Sequence, residues 1–298
     1  MTQSLNIAIA IATAGRREVV AETIGLLAGQ SRMANELMIC PATDQDFDPV
    51  CLQGYPGPAR VFRGPVGSSP QRNVLLDATE ADVVIFFDDD FLPSHDYVAE
   101  VESMFAANPE VVVTTGKLLR DGALGPGIVH EEGLRLLKEA GPNSEARSIT
   151  STYNGYGCNL AVRMKTVRDH GIRFDERLPL YAWLEDVDFS RQLALHGDIV
   201  KVARLRGVHL GTKRTGRSPG ARLGYSQVAN PVYLARKGTM RWPLALKQVG
   251  KNMLANGLRS FSPEPWVDRR GRLLGNMRAI KDLIGGKMSP ERALNVSR

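Results

Sequence analysis

The chain opens with two hydrophobic spacings in succession. Residues 5–13, LNIAIAIAT, are an almost unbroken apolar, β-branched run, as expected of a strand buried on both faces. Over 16–29, Val20, Ile24 and Leu27 fall on one helical face. A second apolar run, ELMICPA at 36–42, completes a β-α-β unit, which implies parallel strands joined by a right-handed crossover. A third strand is predicted at 59–64, after which Ser69 and Pro70 read as N-cap and first position of a helix reaching Ala78. DVVIFF at 82–87 is the most strand-like hexamer in the chain and stops abruptly at Asp88-Asp89-Asp90. Pro93-Ser94 predicts another helix start, with Val98, Val101 and Phe105 on one face, and VVVTTG at 111–116 a further strand. Residues 120–152 lose periodicity and are rich in Gly, Pro, Ser and Glu, an irregular excursion over the sheet. Helices are predicted near 163–170 and 185–196, stopped by Gly171 and Gly197, before a last strand around 198–205 leads into Val208-His209.

Alternation of this kind over about 210 residues predicts an open, doubly wound α/β sheet. Such sheets bind ligands beyond the carboxyl ends of their strands. Thr13, Asp44, Asp88 to Asp90 and His209 all follow apolar runs and are therefore candidates.

Composition adds bounds. The 298 residues are 43% hydrophobic and 23% charged, enough for one large α/β domain with an appendage. No segment reaches the roughly 18 consecutive apolar residues of a membrane span, and the first ten residues lack a signal-peptide pattern. Cys40, Cys51 and Cys158 match no zinc or redox spacing, so a reducing, cytoplasmic compartment is expected.

Charge changes the picture more. The net +6 divides into +10 over residues 236–298 and −4 over the rest. A basic flank of this kind calls for a polyanionic partner. Within 242–259, Leu246, Val249, Met253 and Leu254 alternate with Lys247, Lys251 and Arg259 at roughly helical spacing. This suits an interfacial helix on an anionic membrane surface, peripheral on the inner face. It equally suits a helix that packs on the main domain and shows its lysines to water. No nucleic-acid-binding motif accompanies the charge, so no nucleic acid is expected.

The loops exclude several chemistries. The first βα turn, Ala12-Thr13-Ala14-Gly15-Arg16, has no G-x-G-x-x-G, so a dinucleotide is not expected. GVHLGTKRTGRS at 207–218 lacks a P-loop pattern, and there is no G-x-S-x-G elbow. What the loops do contain is acidic. Three carboxylates at the end of one buried strand repel unless a cation neutralises them. Their hard oxygens suit Mg²⁺ or Mn²⁺, which also bridge diphosphate oxygens. A solvated acidic turn is the bland alternative, but directly after VVIFF it is the weaker one. Trp183-Leu184-Glu185-Asp186-Val187-Asp188 sets three more carboxylates at a helix start. Helix-dipole stabilisation alone accounts for acidic residues there. The same cluster also offers a general base for a hydroxyl, beside a tryptophan face on which a sugar can stack.

Together these motifs resemble the family 2 glycosyltransferases over residues 6 to about 215. The opening strand and helix match, with Gly15 where the family usually has Asn. Gln71-Arg72-Asn73 resembles the A-R-N segment, FFDDD the D-x-D motif, Gly157-Cys158-Asn159-Leu160-Ala161 the G-x-N-x-A segment, and Trp183 to Asp188 the E-D-x-D stretch. Val208-His209 resembles the late histidine that many members give to the metal.

The resemblance implies a GT-A fold of open, mostly parallel sheet, with residues 1–90 serving the donor and 91–215 the acceptor. Residues 216–298 would form a basic helical extension. It implies an inverting transferase using a nucleotide-diphosphate sugar, most often of uridine, to build a polysaccharide or glycolipid. Thr13, Arg16, Asp44, Arg72, Asp88 and Asp89 would bind the donor. Asp90 and His209 would hold the metal, and Gly157, Asn159 and Trp183 would meet a saccharide or lipid-linked saccharide. Asp186 would act as base, with Glu185 beside it. The family's acidic pair after the second strand is replaced here by Pro41-Ala42-Thr43-Asp44-Gln45-Asp46, which leaves the nucleobase open. A sugar-1-phosphate nucleotidyltransferase is the nearest rival, although Gly15-Arg16-Arg17 is a faint version of the loop it needs. A non-catalytic glycan-binding protein of the same fold is the other.

Overall fold

The computed structural model describes residues 4–143, 148–212 and 220–296. In chain order come β1 (Ile7–Thr13), α1 (Arg17–Leu27), β2 (Glu36–Pro41), β3 (Ala59–Val61), α2 (Ser68–Asp77) and β4 (Val83–Asp88). There follow β5 (Phe91–Pro93), α3 (Tyr97–Ala107), β6 (Val111–Asp121), α4 (His130–Glu139), β7 (Ile149–Ser151) and β8 (Asn159–Arg163). α5 (Met164–Asp169), α6 (Glu185–Leu193) and β9 (Asp198–His209) precede three helices, α7 (Gly220–Lys237), α8 (Trp242–Arg259) and α9 (Arg269–Ile284).

One mixed sheet runs β3-β2-β1-β4-β8-β6-β9-β5, with β7 on β9. β1 to β4 are parallel neighbours, whereas β8 runs antiparallel between β4 and β6. The continuous apolar runs are buried on both faces, as their pattern requires. Ile7, Ile9 and Ile11 of β1 pack with Val20, Ile24 and Leu27 of α1, while Ala8 and Ala10 face Leu75 and Leu76 of α2. Each fully buried isoleucine contributes about 1.5–3 kcal/mol of burial. Gly15 takes φ 68 at the turn into α1, a left-handed conformation that Gly and Asn adopt most readily. Asn and Gly are thus physically interchangeable there.

Several local expectations are corrected. The third strand is only Ala59–Val61. α2 starts at Ser68 with Gly67 as its cap, because Ser69 is drawn wholly into the buried first turn. Pro93 ends a strand and does not begin a helix: β5 is a three-residue edge strand paired, among the described residues, with β9 alone, where a missing N–H is tolerated. The helix begins at Tyr97. The stretch 120–152 holds the end of β6, the helix α4 and β7, with Leu136 and Leu137 packed on Leu92, Val208 and Leu210. Residues 144–147 lie outside the described chain, as do 213–218 of the rejected phosphate-loop match. β8, unanticipated as a strand, emerges from the G-x-N-x-A segment. His209 is the last residue of β9 rather than a residue beyond it.

The C-terminal helices form a layer with its own core of Ala221, Tyr225, Val228, Ala229, Ala279 and Ala293. A second cluster joins Leu234, Ala235, Met240 and Ala245 of this layer to Leu178 and Ala182 of the main body. α8 has the expected bounds, but its apolar residues divide between two faces. Val249 and Met253 pack inward, whereas Leu246 and Leu254 are 60% and 64% exposed. Among the described residues no helix is long and apolar enough to cross a membrane. All three cysteines are free thiols, with Cys40 and Cys158 buried.

Candidate active site

A cleft of about 570 Å³ opens at the carboxyl ends of β1 and β4. Thr13, Asp88 and His209 are the last residues of β1, β4 and β9, so three strand ends converge there. The backbone delivers Asp88 and Asp90 to His209, whose Nε2 stands 3.4 Å from Asp90 and 3.9 Å from Asp88. One ligand atom from each lies within 4.8 Å of the others. Asp90 is 1% exposed, and its Oδ1 has no hydrogen-bond partner, a costly state for a buried carboxylate oxygen. Its Oδ2 accepts from the Thr212 N–H and lies 3.1 Å from Arg16. Burial opposes ionisation of Asp90, yet His209, Arg16 and Thr212 together hold it well below the usual carboxylate range. Burial likewise opposes charge on His209, but Asp121 and Asp90 push it up to about 10. An orphaned buried oxygen, a second carboxylate and an imidazole form the donor set that a hard or borderline divalent cation needs.

Asp89 does a different job. It turns inward, accepting from Thr13 Oγ1 and Arg16 at 2.7 Å each, while its carbonyl accepts from Thr23 of α1. Burial, against the pull of Arg16, pushes its carboxyl up to about 7. Asp89 therefore ties β1, α1 and β4 together, and Arg16 spans Asp89 and Asp90.

The opposite wall is built by α2 and α6. Arg72 is buried, donating to Asp88 at 2.9 Å, to Glu185 at 2.8 Å and to the Gly157 carbonyl at 3.0 Å, with its guanidinium over Phe174. Asp186 lines the cleft, accepting from the Gly157 N–H at 3.0 Å and from Val187 N–H. Burial raises its pKa, opposed by those two hydrogen bonds and by Arg72. Burial also pushes Glu185 up to about 8, although Arg72 pulls the other way. Asp188 faces away from the cleft. It is fully buried, accepting from Gln192 and from Lys237 and Thr239 of the C-terminal layer.

The structure does not bring every candidate to the cleft. Asp44 is exposed and pairs with Arg63 at 3.0 Å, because its short 3₁₀ turn points it to solvent. Its neighbour Asp46 instead accepts from Gly15 N–H, bracing the first turn. Asn159 is buried inside the sheet beneath the cleft, accepting from Thr115 Oγ1 at 2.6 Å. Gly157 and Cys158, in the turn that leads into β8, line the cleft instead. Trp183 does line the cleft, on a loop where Leu180, Ala182 and Leu184 all have positive φ.

The sequence reading does not single out five contributors. Asp121 accepts from His209 Nδ1–H at 2.9 Å and from Tyr156 Oη at 3.2 Å. Tyr156 and Tyr181 add aromatic faces to the cleft beside Trp183. Tyr181 was legible from its position next to the Trp-Leu-Glu-Asp cluster; Asp121 carried no signal. Gln227 of α7 and Arg272 of α9 bring the C-terminal layer into the wall.

No protein-family model matches the chain, and no curated protein matches its sequence. Solved structures do. S. aureus TarS 1-349 in complex with UDP-GlcNAc is 15% identical with a TM-score of 0.58, covering 97% of this chain and 83% of that one. The mannosyltransferase PcManGT from Pyrobaculum calidifontis, in complex with GDP-Man and Mn²⁺, is 15% identical at a TM-score of 0.54, covering 95% and 81%. GalNAc-T7 with UDP, GalNAc and Mn²⁺ is 11% identical at a TM-score of 0.54, covering 95% of this chain and 57% of that chain. Against the longer S. aureus TarS chain, at 16% identity and a TM-score of 0.52, this chain spans 44% of its length. At these identities the common property is architecture: the chain has the GT-A fold of nucleotide-sugar glycosyltransferases.

Proposed function

We propose that the protein is a metal-dependent glycosyltransferase, moving a hexosyl group from a nucleotide-diphosphate sugar to a saccharide or lipid-linked saccharide with inversion. One observation carries this reading. Asp88 and His209, grouped with the buried Asp90, line the same cavity as a carboxylate with a raised pKa, Asp186, in a GT-A fold.

Asp88, Asp90 and His209 would hold Mn²⁺ or Mg²⁺, which when bound supplies Lewis-acid stabilisation of the departing diphosphate. Asp186 takes the proton of the acceptor hydroxyl as its oxygen attacks the anomeric carbon in line. The Gly157 N–H fixes which of its oxygens faces the acceptor. Arg72 keeps Glu185 and Asp88 in register across the cleft. Trp183, Tyr181 and Tyr156 offer the flat faces on which sugar rings pack. The family 2 resemblance makes uridine the first base to try, and residues 1–90 the half that serves the donor.

Peripheral attachment to an anionic membrane belongs to the same reading. Trp242, Leu246, Leu254 and Leu258 are exposed on the side of α8 opposite its packed face, with Lys247 and Lys251 beside them. This supports a lipid-linked acceptor in polysaccharide or glycolipid assembly.

The test is nucleotide release over a panel of UDP- and GDP-sugars, with manganese, with and without EDTA. Donor hydrolysis or transfer that needs the metal is expected, and Asp90→Ala should abolish metal-enhanced binding of nucleoside diphosphate in a calorimetric titration. Release of pyrophosphate from a nucleoside triphosphate and a sugar phosphate would favour the nucleotidyltransferase instead.

A further inference from the structure

A second cavity, of about 560 Å³, opens between α1, α4 and the strands β5, β6 and β9, and it shares no lining residue with the cleft. Its size falls within the range of small-molecule sites, about 300–1,000 Å³. The walls are largely apolar. Leu134 and Leu137 share one face of α4 with Lys138, at the i, i+3, i+4 spacing. Leu26, Leu119 and Leu137 also pack on Leu92, Val208 and Leu210.

A buried charge lies among these side chains. Arg206 of β9 lines the cavity and is 6% exposed. Its Nη1 and Nη2 donate to the Ala140 and Gly141 carbonyls at 3.4 and 2.9 Å, closing the end of α4. Capping explains those two bonds and offsets part of the charge, since a helix C-terminus carries about half a negative unit. It leaves the remainder unmatched. Among the described residues Arg206 has no carboxylate within 4.0 Å, and its Nε is buried with no hydrogen-bond partner. Arg204, two residues earlier, also leaves Nε unbonded, but Glu100 meets its charge at 2.5 Å.

The one carboxylate lining the cavity, Asp96, is engaged elsewhere. It accepts from Ser94 Oγ at 2.7 Å and from Asn143 Nδ2 at 3.2 Å. Exposed Lys138 supplies a second cation. Two cations and one carboxylate leave a single positive charge, to which His95 adds only when protonated.

Burying a cation without a counter-charge is costly, and a bound anion relieves that cost. A carboxylate suits the site because it brings one negative charge. Its two oxygens match the Nε–H and a remaining Nη–H, side by side on the guanidinium. Apolar walls favour a hydrocarbon body behind that group. Asn143 Oδ1, the other lining atom buried without a partner, is an acceptor and suits a hydroxyl on the same ligand.

We propose that this cavity binds an alkyl carboxylate, with Arg206 holding the carboxylate and Leu26, Leu119 and Leu137 the hydrocarbon. The site does not depend on the glycosyltransferase reading, and failure of either leaves the other untouched.

Decanoate, decanol and acetate, each below its micellar range, are titrated by calorimetry into the full chain. Two variants accompany it. Arg206→Met removes the cation and keeps a long side chain. Gly29→Phe fills the cavity: Gly29 lines it, and a Cβ there would meet nothing closer than the Leu26 carbonyl at 3.5 Å. Circular dichroism and thermal melting verify folding, and either variant decides if the other fails to fold. Saturable one-to-one binding of decanoate is expected, at least tenfold weaker for decanol and absent for acetate. Each folded variant should lose at least tenfold in decanoate affinity, whereas Lys247→Glu with Lys251→Glu on α8 should bind it as wild type does. Equal binding of decanoate and decanol, which needs no variant to fold, overturns the carboxylate assignment. Undiminished decanoate affinity in a folded cavity variant, or no saturable binding to wild type, overturns the site.

Discussion

At the residue scale, the two carboxylates at the start of α6 have different surroundings and so different tasks. Asp186 must be ionised to accept a proton, and its folded pKa is raised, so activity is present above that pKa and lost as pH falls through it. The acid limb of kcat/KM should therefore lie above the ordinary aspartate value of about 3.9. A pH–rate profile reads that limb directly, and a limb at or below the ordinary value would remove Asp186 from the base role. Asp186→Asn should retain donor affinity and lose about 10²-fold or more in kcat, since an amide of the same shape accepts no proton. Near wild-type turnover would give the base role to Glu185. Asp121 makes a separate prediction. A carboxylate on the far nitrogen of a metal-binding histidine fixes its tautomer, and losing it typically costs 10–100-fold in metal affinity. Asp121→Asn should weaken Mn²⁺ binding by that amount in electron paramagnetic resonance titrations, in the absence of any substrate. Unchanged affinity would reduce Asp121 to a packing contact.

At the element scale, the ties between α6 and α7 decide how the cleft holds its shape. Asp188 is wholly buried and bonded to Lys237 and Thr239, and the Trp183 carbonyl accepts from Asn230 of α7. The loop between carries Leu180, Ala182 and Leu184 at positive φ, each costing about 1–2 kcal/mol relative to ordinary backbone. Packing from α7 is what keeps it there. Asp188→Ala should destabilise the protein by about 3 kcal/mol in chemical denaturation, by leaving Lys237 and Thr239 short of a partner. Mn²⁺ affinity should not change, because the metal site lies across the cleft. A silent mutation would mean that the C-terminal layer holds α6 by apolar contacts alone.

The same scale explains what the sequence could disclose. β1 and β4 were legible because burial on both faces leaves an apolar run with no competing pattern. The Asp triplet was legible because it interrupts such a run. α4 was not, since glycine and glutamates within it break the apparent period while only Gly133 among them is buried. Asp121 was beyond reach for a topological reason. It meets His209 through the register of β6 on β9, a pairing between residues 88 apart in sequence. Asn159 is a candidate by likeness to a motif, and Asp44 by its place after an apolar run where the family's motif is altered. A hydrogen bond to Thr115 within the sheet and a 3₁₀ turn direct their side chains elsewhere.

At the scale of the whole molecule, the basic tail is a wall of the active site as well as a charged surface. Deleting residues 236–298 would remove both the cleft-lining Arg272 and the Lys237 tie, so it cannot isolate a membrane effect. Surface changes can. Lys247→Glu with Lys251→Glu should abolish sedimentation with vesicles containing anionic lipid, while leaving turnover on a short soluble acceptor near wild type. Wild-type binding should weaken steeply with salt, since surface attraction fades beyond a Debye length of about 8 Å at physiological ionic strength. A wild-type chain that ignores such vesicles at low salt has a tail that serves packing alone.

The pairing of β5 with β9 has a consequence for biogenesis. Phe91 and His209 are register partners, so the strand next to the Asp triplet finds its neighbour only when the last strand arrives. A growing chain on the ribosome can complete β1 to β4 from nearby sequence, yet it presents Asp88 and Asp90 with no imidazole beside them. The cluster of Asp88, Asp90 and His209 is assembled by the closing act of sheet formation, and the wall that α7 and α9 give the cleft later still. Contacts this distant in sequence form slowly. Under the proposed function such a protein has no partly active precursor: the cleft is not competent until β9 and the C-terminal helices are in place.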